Sequence, residues 1–179
     1  IDGEIVTRSF TTEARIEHGI ALANPSEDIL LMAVVNRYQN VPPSLGFIYG
    51  FGLKEGAIAS CVGHDSHNII AVGTDEASLC RAANLIIENR GGISAVGGEK
   101  TRILPLPVAG ILSDGDGYEI ARAYKEIDAF AKIELGSRLS APFMALSFMA
   151  LLVIPSLKLG DKGLFDGNAF RFTPLFVDG

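Results

Sequence analysis

Between Ile29 and Gly73 the chain places four strand-length apolar runs in quick succession: Ile29 to Arg37, Gly46 to Gly52, Ala57 to Val62 and Ile69 to Gly73. Gly, Pro and short polar residues separate them, and so little intervening chain favours antiparallel neighbours. The first run is rich in Leu and Val without interruption, as suits a strand buried on both faces. The second sets Phe47, Tyr49 and Phe51 on one side of an extended segment, and Glu4 to Phe10 alternates enough to predict a further strand. A largely antiparallel, or mixed, β-sheet is therefore the frame that the remaining segments must cover.

Three helices are predicted to cover it. The first starts at Asp75 or Glu76 with Thr74 as its cap, aligns Leu79, Ala82, Ala83, Ile86 and Ile87 on one face, and stops at Gly91-Gly92. Ile93 to Val96 and Thr101 to Leu106 then flank a Gly97-Gly98-Glu99-Lys100 turn, and Pro105 and Pro107 keep the second arm out of a central position. The second helix runs from about Gly117 to Leu135, with Asp116 and Glu119 as a capping-box analogue, Ile120, Tyr124, Ile127 and Ala131 as its stripe, and Gly136 as its stop. Ser140 and Pro142 open a third, very apolar helix within Ala141 to Ile154, and Pro174 makes the last run, Phe170 to Val177, an edge strand. The expectation is one α+β domain over residues 1–179, a largely antiparallel or mixed sheet packed against about three helices.

With 179 residues, 48% of them hydrophobic, the chain can bury a sizeable core. Its net charge of −6 comes without a Lys/Arg cluster, which argues against nucleic acid as a partner. The run Ala141 to Ile154 is shorter than the roughly 18 to 20 residues of a membrane span, so no membrane association is expected. Cys61 and Cys80 form no CxxC pair and lie in apolar runs, which predicts buried thiols in a reducing, cytoplasmic setting. The chain opens on Ile1 with no signal-type segment and has the look of a piece of a longer protein.

Chemistry concentrates in Gly63-His64-Asp65-Ser66-His67-Asn68, which holds two of the three histidines between two predicted strands. His64, Asp65 and His67 are suitable ligands for Zn, Mn or Fe. His64, Asp65, Ser66, His67 and Asn68 could instead face a substrate as hydrogen-bonding or proton-transfer groups. A third reading is a polar turn in which Asp65 and Asn68 satisfy backbone N–H groups. Adjacent side chains on extended backbone diverge, so Asp65, Ser66 and His67 do not make a local triad. Gly50-Phe51-Gly52-Leu53-Lys54-Glu55-Gly56 has the wrong spacing for a nucleotide fingerprint, Asp114-Gly115-Asp116-Gly117 lacks the distal ligands of a calcium loop, and no Pro-Cys-x-x-Cys zinc motif occurs.

Several long strings add a resemblance. Gly52 to Ser60, His64 to Gly73, Leu104-Pro105-Leu106-Pro107-Val108-Ala109-Gly110, Pro142 to Phe148, and Leu157-Lys158-Leu159 through Gly163-Leu164 resemble the C-terminal domain of bacterial-type adenine deaminase, in the amidohydrolase superfamily. Two positions depart from it: Leu152 stands where Pro is expected and Gly160 where Thr is expected. The resemblance implies a part of a cytoplasmic purine-salvage enzyme that hydrolyses adenine to hypoxanthine and ammonia. It places a divalent metal (Mn, Fe or Zn) in a preceding β/α barrel, the partner of this domain in the same chain, and implies a homo-oligomer. The histidine loop would then line or close the barrel's active site, and this piece alone would be inactive. The alternatives are a self-standing metal- or small-ligand-binding module and a purely structural or oligomerisation domain.

Overall fold

A computed structural model describes residues 1–177. In chain order, β1 (Arg15–Glu17) and β2 (Ile20–Leu22) form a small exposed hairpin, and a single 3-10 turn leads into β3 (Ile29–Val35). Then come β4 (Ser44–Tyr49), β5 (Ala57–Ser60), β6 (Ile69–Gly73), α1 (Glu76–Glu88), β7 (Gly92–Gly97) and β8 (Lys100–Pro105). α2 (Gly117–Ala129) continues as a π-helical turn over Phe130–Glu134, followed by α3 (Pro142–Ser147), β9 (Leu157–Gly160), β10 (Gly163–Asp166) and β11 (Arg171–Phe172). The main sheet has the order β4-β3-β6-β5-β7-β8, antiparallel throughout, with β4 and β8 as its edges; β9 to β11 make a second, three-stranded sheet. The α+β expectation is met.

Alternation along the strands sends side chains to two covered faces. On one face Leu30, Met32, Val34, Ile58, Ile70 and Val72 meet α3 and the α2 segment through Ile127, Phe130, Leu135 and Leu146. On the other, Ala33, Ala57, Ala59 and Ala71 face Leu79, Ala82, Ala83 and Ile86 of α1. Small residues on both partners let this helix sit close to the sheet. Both faces being covered explains the unbroken apolar run of β3. Each fully buried Leu or Ile here contributes about 1.5–3 kcal/mol relative to exposure.

The differences from expectation have local causes. Glu4 to Phe10 joins no sheet; it is an extended strap whose Thr7 exchanges backbone hydrogen bonds with Pro155 and Ser156 at 3.0 and 3.2 Å. β4 ends at Tyr49, and Gly50 at φ 103° turns the chain, so Phe51 enters the core opposite the face on which Phe47 packs. The cap of α1 is Asp75, whose carboxylate accepts from the Ser78 N–H at 2.8 Å, rather than Thr74. Ile87 and Cys80 follow buried residues by one position, about 100° round the helix, and are exposed, which corrects the expectation of two buried thiols. The third helix stops at Ser147: tighter i→i−3 turns bury Met149 and Ala150 instead, so a long helix is not needed to hide that run.

Leu152 and Gly160, the two departures from the family strings, touch. A Cβ built on Gly160 would lie 3.2 Å from Leu152 Cδ1. The larger residue at one position occupies the room left by the smaller at the other.

Candidate functional site

Residues 61–68 join β5 to β6, so the polar cluster sits at the end of an antiparallel hairpin, as the flanking apolar runs predicted. Its backbone is held from several directions. The His64 N–H donates to Ser147 O at 2.9 Å, and the His64 ring stacks on Phe148 with centroids 4.8 Å apart and planes 19° off parallel. The His67 N–H closes a turn onto Gly63 O at 2.9 Å. The residues just past β3 supply the remaining contacts: Tyr38 Oη donates to Ser66 O at 2.7 Å, and Arg37 Nη1 donates to His67 O at 3.1 Å. The Arg37 backbone N–H donates to Asn68 Oδ1, also at 3.1 Å.

This frame sorts the five candidates. Asp65 and Ser66 are exposed, while His64 and His67 are half-buried. Asn68 is 3% exposed with its carbonyl already engaged, so its side chain supports the loop rather than facing outward. No side chain of His64, Asp65, Ser66 or His67 hydrogen-bonds another of the four, and His67 Nδ1 is buried without a partner. Among the described residues no group of three His, Cys, Asp or Glu could hold a metal ion, so His64, Asp65 and His67 are not assembled into a ligand set. What remains open is an imidazole edge, a carboxylate and a hydroxyl on a fixed backbone, the equipment of hydrogen bonding and proton transfer.

Arg37 also reaches a third segment. Its Nη2 donates to Ala109 O at 2.8 Å, and the Cys61 thiol at the base of the loop donates to Gly110 O at 2.8 Å. Cys61 Sγ in turn accepts from the Gly92 N–H at 3.0 Å. A Cβ on Gly110, whose φ is 80°, would lie 3.0 Å from the Arg37 Cζ, so a larger residue there would be strained and would push the guanidinium from its place.

The model for the adenine deaminase C-terminal domain matches residues 4–171. The chain belongs to that family. Adenine deaminase of Sulfurovum sp. (strain NBC37-1) is 58% identical over 147 residues, covering 82% of this chain and 28% of that protein. The adenine deaminases of Salinibacter ruber and Methanothermobacter thermautotrophicus are each 48% identical, over 99% and 98% of this chain and 33% and 32% of their own lengths. The chain thus spans about a third of the length of the curated relatives it matches.

In this adenine deaminase C-terminal domain, two of the family strings that are far apart in sequence converge on the histidine loop, which belongs to a third. Ser147 and Phe148 hold His64, and Ala109 and Gly110 share Arg37 and Cys61 with it. The sequence reading assigned no role to Arg37, Tyr38 or Phe148. The available signal was an arginine followed by an aromatic residue just past the apolar run of β3.

Proposed function

We propose that this chain is the C-terminal part of a cytoplasmic adenine deaminase of purine salvage, and that His64, Asp65, Ser66 and His67 face an active site formed by the rest of that polypeptide. The reaction replaces the C6 amino group of adenine with oxygen from water, giving hypoxanthine and ammonia. The family match over residues 4–171, together with relatives about three times as long that carry that name, supports the reading. The observation that carries the loop assignment is its construction: the backbone is pinned by Arg37, Tyr38 and Ser147 while Asp65 and Ser66 stay open to solvent.

In this reading the divalent ion, Mn, Fe or Zn, belongs to a β/α barrel elsewhere in the polypeptide; among the described residues no three His, Cys, Asp or Glu side chains are grouped to hold one. The work left to this chain is positional. His64, with its ring plane set by Phe148, is oriented to hydrogen-bond the purine or relay a proton, and Asp65 and Ser66 offer an acceptor and a hydroxyl beside it. Asn68 keeps the loop in register from below, and the assembled enzyme is a homo-oligomer.

The test uses the full-length protein. His64→Ala and His67→Ala are expected to lower hypoxanthine formation by about tenfold or more, at the small end of what positioned acid–base groups supply. Thermal unfolding is measured in parallel to show that the fold survives. Unchanged turnover in both variants would remove the loop from the active site.

A further inference from the structure

The turn that follows β8 has a rigid base and an apolar tip. Val108 and Leu112 exchange backbone hydrogen bonds at 3.0 Å in each direction, and Ala109 and Gly110 take positive φ of 56° and 80° between them. Below the tip, Leu106 is buried, its N–H donates to Gly91 O at 3.3 Å, and Ala109 O and Gly110 O are taken by Arg37 and Cys61. Above it, Pro107 is exposed, Val108 is 43% exposed and Leu112 is 59% exposed. A turn fixed at every backbone contact yet ending in uncovered aliphatic side chains is preorganised for docking, because little conformational freedom remains to be lost on contact.

The position of this turn selects its occupant. One guanidinium holds both the turn, through Ala109 O, and the histidine loop, through His67 O. The chain accounts for about a third of the length of its relatives, which leaves a large body of protein to be seated beside that loop.

We propose that the 106–112 turn is a docking knob for the remainder of the same polypeptide, and that Arg37 fixes it in register with the histidine loop, so that seating Val108 and Leu112 aims His64 and Asp65. This rests on the reading of the loop as active-site-facing, but its test does not depend on turnover.

The experiment is hydrogen exchange by mass spectrometry on the full-length protein, wild type against the Val108→Asp/Leu112→Asp double variant, with subunit number followed by sedimentation. Exchange is expected to rise by about tenfold or more in one contiguous segment of the polypeptide outside this domain, the size of effect expected when two aliphatic side chains lose their burial. Protection in β5 and β6 should be unchanged, and Arg37→Met should loosen residues 63–68 and 106–112 together. If protection in β5 and β6 is lost, the Val108→Ala/Leu112→Ala pair is read instead. Unchanged exchange outside this domain overturns the proposal, and so does a loss confined to subunit number, which would assign the knob to a second copy. A docking effect alongside unimpaired His64→Ala and His67→Ala turnover would keep the knob and reject the loop's catalytic role.

Discussion

Lys158 offers a quantitative test of how the chain is held together. It lies on β9, is only 2% exposed, and its Nζ donates to Ile5 O at 2.7 Å, beneath the N-terminal strap. Among the described residues no carboxylate lies within ion-pair distance of it. Burial therefore lowers its pKa from 10.5 to about 8. Between those values the folded state holds a neutral amine while the unfolded chain still binds the proton, so stability rises with pH across this window. With these two pKa values, the gain from about pH 7 to about pH 9.5 is about 2 kcal/mol, and the ceiling above both pKa values is about 3 kcal/mol.

Lys158→Met keeps the aliphatic stem and removes the titration. In urea unfolding followed by far-UV circular dichroism, the difference between wild type and variant should move by about 2 kcal/mol in favour of wild type between those two pH values. Taking the difference cancels other groups, including Tyr124, whose pKa is raised by burial and by the nearby Asp128. A difference that stays flat to within about 0.5 kcal/mol would show that the ammonium is hydrated in the folded protein and would refute the reasoning.

Two further outcomes follow from packing. Native-state alkylation should label Cys80 rapidly and leave Cys61 untouched until the protein unfolds, because the Cys61 thiol is buried and hydrogen-bonded to Gly110 O; equal labelling of both in the folded protein would contradict this. Gly160→Thr should destabilise the protein while Leu152 is present and be partly rescued by Leu152→Pro, with a coupling energy of about 1 kcal/mol in a double-mutant cycle; additive effects would show that the two positions are independent.

The elements legible in the sequence were those whose pattern is set by their own neighbours. β6 was placed to the residue, and the β7–β8 hairpin, the Asp116 cap and the Gly136 stop, at φ 83°, followed from local turn and capping chemistry. The segments misread were those decided by distant partners. The strap at Glu4 to Phe10 has strand-like alternation but meets a turn near Pro155 instead of a strand, and the apolar run after Ser147 is buried by turns. β9 and β10 carry too little periodicity to read, because each is four residues long and has a Gly at one end. The histidine loop was visible as a polar cluster between strands. Its support was not, since Arg37, Ala109 and Ser147 are separated from it by up to 83 residues and only the fold brings them together.

The exposed edge at β8 bears on how copies of this protein can meet. A sheet edge is a template for strand addition, and in a crowded cell that is a route to aggregation. Here the outer strand carries Lys100 and Arg102 on exposed positions and ends in Pro105, which has no N–H to offer a newcomer. Accretion by continued pairing along this side is therefore discouraged, and any orderly association of subunits is directed to side-chain surfaces, where shape and charge can discriminate between partners.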